Sequence, residues 1–121
     1  MARILVIEDT DDVRTLLLRI LEKAGYDVLS VSDGEEGLRV FHRELVDLVI
    51  TDILLPKKDG VEIIREIKQG FPDVKIIAIT GYRGRYNRLP AAVYLGAQRT
   101  LVKPFKMEEM LEAVEEVLGE N

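Results

Sequence analysis

Five short apolar runs recur along the chain: "ILVI" at 4–7, "YDVLSV" at 26–31, "DLVIT" at 47–51, "VKIIAI" at 74–79 and "TLV" at 100–102. Most are rich in β-branched residues and show little polar alternation. Strands covered on both faces read this way, because neither face turns to water, and that points to a parallel sheet. Helical spacing fills the gaps. Val13, Leu16, Leu17, Ile20, Leu21 and Ala24 share one face, and Gly25 stops that helix. Leu38 and Phe41 mark a second helix over 34–44. Val61, Ile64 and Ile67 mark a third, capped by Asp59 and ended by Gly70. Met107, Met110, Leu111, Val114, Val117 and Leu118 mark the last, with an outward face of Glu108, Glu109, Glu112, Glu115 and Glu116. The segment "GYRGRYNRLPAAVYL", 81–95, reads as a long loop and then a short fourth helix with Pro90 near its first turn. Strands alternating with helices five times predict a doubly wound α/β sandwich. Right-handed crossovers leave 2-1-3-4-5 as the common order for five parallel strands.

The 121 residues suit one domain, 1–121, with one core. A net charge of −5 excludes a non-specific grip on nucleic-acid phosphates or an anionic membrane. The absence of cysteine removes disulfides and thiolate metal sites and fits a reducing cytoplasm. The N-terminal apolar run is too short for a signal peptide, and no run approaches the ~20 residues of a membrane span. A soluble, cytoplasmic domain is expected.

In such a sheet ligands bind beyond the carboxyl ends of the strands, at the switch point between the first and third. Strand 1 ends in Glu8-Asp9 and strand 3 in Asp52, which is followed at once by Ile53, Leu54 and Leu55. A carboxylate set among apolar residues is costly to solvate, so its presence asks for a reason. Three carboxylates converge on one rim, and two such charges ~4 Å apart repel by ~4 kcal/mol at an effective dielectric of ~20. A cation relieves that. Oxygen ligands without His or Cys favour Mg²⁺ or Mn²⁺. Strand 4 ends at the same rim in Thr80, and strand 5 in Lys103, followed by Pro104. An acid cluster, a hydroxyl and an amine around one carboxylate suit phosphoryl transfer to Asp52, which would act as nucleophile and become an acyl phosphate.

With "VIEDTDDVR", "LVITDILLPKKDG", "IIAITG" and "GAQRTLVKPF" in this order at strand ends, the chain resembles the receiver domain of two-component response regulators over nearly its whole length. The resemblance implies a flavodoxin-like fold. It implies Asp52 as phosphoacceptor, Glu8 and Asp9 as the acidic pair holding Mg²⁺ (Mn²⁺ possible), and the backbone carbonyl of Leu54 as a further ligand. Lys103 would pair with the phosphoryl group, Thr80 would turn toward it, and the Lys103–Pro104 bond would be cis. The implied partners are a histidine kinase or phosphotransfer protein and a downstream protein met through the 82–118 face. The domain would be a monomer or a phosphorylation-dependent dimer, with no external substrate. The chain stops at Asn121, just after the last helix, and reads either as a stand-alone regulator or as a receiver from a longer one.

Plainer readings exist. Glu8, Asp9, Asp11 and Asp12 also suit the start of the first helix, with Asp9 or Thr10 as cap. His42, the only histidine, reads as a solvated helix residue. A haloacid dehalogenase would use Asp9 and Asp11 but leaves Asp52 unexplained, and an FMN binder would need a first loop less hostile to anions. A receiver that binds partners without phosphorylation is the remaining alternative.

Two departures from the family pattern stand out. Thr100 occupies the position, three before Lys103, where the family carries an aromatic switch residue. The segment after Thr80 holds one residue more than is typical and gathers Tyr82, Tyr86 and Tyr94 with Arg83, Arg85 and Arg88. Either a tolerant loop has drifted, or one of these tyrosines takes over the switch and the basic segment meets an acidic partner.

Overall fold

The computed structural model describes residues 2–81 and 89–119, with the side chains of Leu89 and Tyr94 left aside. Strands β1 (Arg3–Ile7), β2 (Asp27–Val31), β3 (Leu48–Asp52), β4 (Lys75–Thr80) and β5 (Arg99–Val102) alternate with helices α1 (Asp11–Lys23), α2 (Gly34–Arg43), α3 (Gly60–Gly70), α4 (Leu89–Tyr94) and α5 (Met107–Leu118). All strand pairs are parallel, and the order is β2-β1-β3-β4-β5. Both are as the sequence predicts.

Side-chain alternation divides the core into two layers. Leu5, Ile7, Val49, Ile76 and Ala78 face one side, where Leu38 and Phe41 of α2 and Ile63, Ile64 and Ile67 of α3 cover them. Ile4, Val6, Leu48, Ile50, Ile77 and Ile79 face the other, under Leu17 and Leu21 of α1 and Met110, Ala113 and Val114 of α5. Central strand β3 is buried along its full length, which is why its sequence shows no polar alternation.

Local chemistry sets the helix ends. The Asp33 side chain accepts from Glu36 N–H at the start of α2, and Asp59 from Val61 N–H at the start of α3. Thr10 occupies the N-cap position of α1 without a side-chain cap bond. Gly25, at φ 100°, takes the left-handed turn beyond α1 that a side chain would resist. Two glycines allow close approach. A Cβ on Gly34 would lie 2.3 Å from the Lys58 carbonyl oxygen, and one on Gly60 would lie 2.2 Å from the Asp52 carbonyl oxygen. The loop after β3 is thus wedged between α2 and the first turn of α3. No helix among the described residues is long and apolar enough to cross a membrane.

Candidate phosphoacceptor and metal site

The register of the sheet assembles the site. Ile7 pairs with Thr51 and Thr80 with Val102, so Glu8, Asp52, Thr80 and Lys103 all stand at the carboxyl edge. The structure brings together every carboxylate that the sequence singles out there. Glu8, Asp9 and Asp52 each offer an oxygen, and these atoms lie within 4.8 Å of one another. Glu8 is fully buried, Asp52 keeps 4% of its surface and Asp9 is exposed.

The buried carboxylates are partly matched. Lys103 Nζ donates to Asp52 Oδ2 at 2.7 Å, and Leu54 N–H donates to Asp52 Oδ1 at 3.0 Å. Glu8 Oε2 accepts from Thr10 N–H at 2.9 Å. Its other oxygen, Oε1, lies 2.7 Å from Lys103 Nζ, yet no donor is directed at it along a hydrogen-bonding line. That contact is charge attraction alone. Burial pushes the Glu8 carboxyl above its ordinary range, while Lys103 and the Thr10 amide pull it part of the way back. Burial alone would lower the Lys103 ammonium; the hydrogen bond to Asp52 and the pull of the Glu8 charge outweigh it and hold the amine above its usual value.

One ammonium therefore serves two buried carboxylates, and Asp9 adds a third negative charge. The orphaned Glu8 Oε1, the all-oxygen donor set and the spacing fit a small hard divalent ion. Thr80 is buried, and its carbonyl accepts from Lys103 N–H at 2.7 Å, tying the ends of β4 and β5 together. The Lys103–Pro104 bond is cis, as the resemblance implies. Leu54, whose carbonyl is the expected further ligand, sits on the same loop with its side chain half exposed.

His42 is exposed on α2, as expected, but is not alone: its ring lies 5.6 Å from that of Phe41 and 6.0 Å from that of Phe71. A cleft of about 450 Å³ beside Phe41 and Phe71 lies at the amino edge of the sheet, remote from the carboxylates. Thr100 is half-buried in β5 opposite Ala78. The segment holding Tyr82, Tyr86, Arg83, Arg85 and Arg88, and the Tyr94 side chain, lies outside the described residues.

Sequence reasoning missed the reach of Lys103 to Glu8 as well as Asp52. It also left Arg14 without a role, although Arg14 Nη1 donates to the Glu8 carbonyl. Only its place within "VIEDTDDVR" hinted at this.

Comparison with known proteins agrees with the geometry. The family described as the response regulator receiver domain matches residues 4–115. The transcriptional regulatory protein PhoP for alkaline phosphatase synthesis, from Bacillus subtilis, is 35% identical over 96% of this chain, which spans about half (48%) of that protein. The response regulator receiver protein CpdR of Brucella abortus is 35% identical, with 98% of each chain covered. A CheY-like receiver domain protein from Methanospirillum hungatei superposes with a TM-score of 0.92 at 31% identity, covering 99% of this chain and 95% of its own.

Proposed function

Because the chain belongs to the response regulator receiver domain family, the phosphoacceptor switches of two-component systems, we propose that residues 1–121 form one receiver domain in which Asp52 takes the phosphoryl group. The donor is the phosphohistidine of a kinase or phosphotransfer protein, or a small acyl phosphate. The observation that carries this is the meeting of Glu8, Asp9 and Asp52 within 4.8 Å, with Lys103 donating to Asp52.

In the transfer an Asp52 oxygen forms a bond to phosphorus as the phosphorus bond to the donor's nitrogen or oxygen breaks, and the leaving group takes the electron pair. Glu8, Asp9, Asp52 and the Leu54 carbonyl would hold Mg²⁺, with Mn²⁺ as substitute, and the ion supplies charge neutralisation at the phosphoryl oxygens. Lys103 must then move from the free carboxylate to the phosphoryl oxygens. That leaves Glu8 more dependent on the metal. Thr80, hinged on the same strand ends, supplies a hydroxyl that follows the new oxygens inward. Since its carbonyl already holds Lys103 N–H, movement of either is felt by both β4 and β5. A pre-existing equilibrium of the face built from 82–118 shifts in response, and a downstream protein reads it. The switch is read as cytoplasmic, monomeric or dimerising on phosphorylation, and without an external substrate.

Intact-mass measurement after incubation with acetyl phosphate and Mg²⁺ tests this. One added phosphoryl group, absent without the metal and absent in Asp52→Asn, is the expected result. No adduct on the wild-type protein would leave a receiver that binds partners without phosphorylation.

A further inference from the structure

Arg14 lies in the first turns of α1 and reaches back toward the strand it follows. Its Nη1 donates to the Glu8 backbone carbonyl at 3.0 Å, and its Nη2 pairs with Asp11 Oδ1 at 2.6 Å. The Arg14 side chain keeps 22% of its surface, whereas Asp11 keeps 84%. The more sheltered contact is the one to the carbonyl. An exposed ion pair at this helix spacing is worth only a few tenths of a kcal/mol.

That carbonyl belongs to the peptide unit joining Glu8 to Asp9. The unit is planar, so fixing its oxygen fixes the direction in which the chain leaves for the Asp9 Cα. The rest of the turn is pinned too. Glu8 N–H donates to the Val31 carbonyl at 3.1 Å, Thr10 N–H to Glu8 Oε2 at 2.9 Å, and Arg14 N–H to the Thr10 carbonyl at 2.9 Å. Asp9 itself is exposed and makes no hydrogen bond or ion pair among the described residues. No described residue holds its carboxylate directly, so its aim depends on the backbone on either side.

We propose that Arg14 is a positioning residue for divalent-ion binding: by clamping the Glu8 carbonyl, it aims the Asp9 carboxylate at the point shared with Glu8 and Asp52. This rests on reading those three carboxylates as a Mg²⁺ site. The planar guanidinium suits the task because one fork bonds the carbonyl and the carboxylate together, which an ammonium cannot do with the same geometry.

Charge and positioning predict opposite signs. A cation beside an acidic site repels an incoming Mg²⁺, so a guanidinium that merely sat there would weaken binding, and its removal would tighten it. If Arg14 aims Asp9, its removal weakens binding despite the lost repulsion.

Isothermal titration of metal-free protein with MgCl₂ at fixed salt, on wild type, Arg14→Ala and Arg14→Lys, separates these. The expected result is about tenfold weaker Mg²⁺ binding in Arg14→Ala, the scale seen when an outer hydrogen-bond partner of a metal site is lost, with only part of the loss recovered in Arg14→Lys. Amide hydrogen exchange at Asp9 and Thr10 should quicken in the metal-free variants, a readout that does not involve the ion. Binding as tight as wild type, or tighter, in Arg14→Ala overturns the proposal. Should Arg14→Ala not fold, wild-type affinity in Arg14→Lys overturns it equally. A wild-type protein that takes up no Mg²⁺ would instead overturn the metal-site reading beneath it.

Discussion

The Lys103 ammonium donates to Asp52 Oδ2 at 2.7 Å and lies at the same distance from Glu8 Oε1, so one partly buried cation is shared between two buried carboxylates. The imbalance decides how the site responds to substitution. Asp52→Asn leaves a matched Glu8–Lys103 pair, and the metal-free variant should melt at or above the wild-type temperature. Lys103→Met leaves Glu8 and Asp52 facing each other without a counter-charge, which should cost about 3 kcal/mol in the metal-free protein. Mg²⁺ should return part of that loss by binding the folded state. Thermal melts of both variants with and without Mg²⁺ check this, and an Asp52→Asn protein less stable than Lys103→Met would refute it.

The same arrangement predicts a pH dependence. Burial, aided by the charge of Asp52, raises the folded-state pKa of Glu8 above its ordinary 4.5, so the native protein binds this proton more readily than the unfolded chain. Ionised Glu8 therefore costs stability at neutrality. The cost is relieved as the pH falls through the raised value, and nothing further changes below 4.5. The stability difference between Glu8→Gln and wild type, both metal-free, should shift in favour of wild type on acidification from neutrality toward 4.5. Denaturant melts across that window measure it, and a difference independent of pH would show that Glu8 titrates normally. Lys103 acts at the other extreme. Its raised pKa gives a contribution that is complete below 10.5 and lost as the pH climbs through the folded value.

Gly60 fixes the backbone beneath the phosphoacceptor. A Cβ there would stand 2.2 Å from the Asp52 carbonyl oxygen and 2.7 Å from Ile53 Cα, and neither backbone atom can rotate away. Gly60→Ala should cost upwards of about 2 kcal/mol, as overpacking does, and should slow phosphorylation because the strain falls on Asp52 itself. Gly70, at the far end of α3, has open space around the same position. Gly70→Ala should be neutral or stabilising by about 0.5 kcal/mol through reduced freedom of the unfolded chain. Urea melts of the pair measure the contrast, and equal effects would mean that α3 does not seat on Asp52.

What the sequence made legible follows from what it encodes directly. Uninterrupted apolar runs report burial on both faces, so the parallel sheet and its order were readable. Parallel strands put their ends on one rim, so Glu8, Asp52, Thr80 and Lys103 could be placed together without coordinates. Apolar spacing marks a helix's inward side only coarsely and leaves its start unmarked: α3 ends at Gly70 as read, but α1 starts at Asp11, two residues before its first apolar position, and Leu16 stays exposed although it shares the apolar spacing. Contacts that depend on side-chain reach were not readable. No spacing rule says that Lys103 spans both carboxylates or that Arg14 turns back to the Glu8 carbonyl. Gly34 and Gly60 look like ordinary helix starts until the Lys58 and Asp52 carbonyls are found against them.

Thr100 sets the last prediction. It pairs with Ala78 in β5, and with a hydroxyl in place of a ring it has no bulky group to swing inward when Thr80 moves. If the switch has passed to the neighbouring tyrosines, their surroundings must change on phosphorylation. The chain has four tyrosines and no tryptophan, so tyrosine emission reports on few positions. One of them, Tyr26, is packed against the core beside β2 and serves as a fixed background. Acetyl phosphate with Mg²⁺ should alter the emission of wild type but not of Asp52→Asn. One of Tyr82→Ala, Tyr86→Ala and Tyr94→Ala should abolish the change while still accepting the phosphoryl group by intact mass. An emission change that survives in all three variants would assign it to Tyr26 and return the 81–95 segment to the standing of a drifted loop.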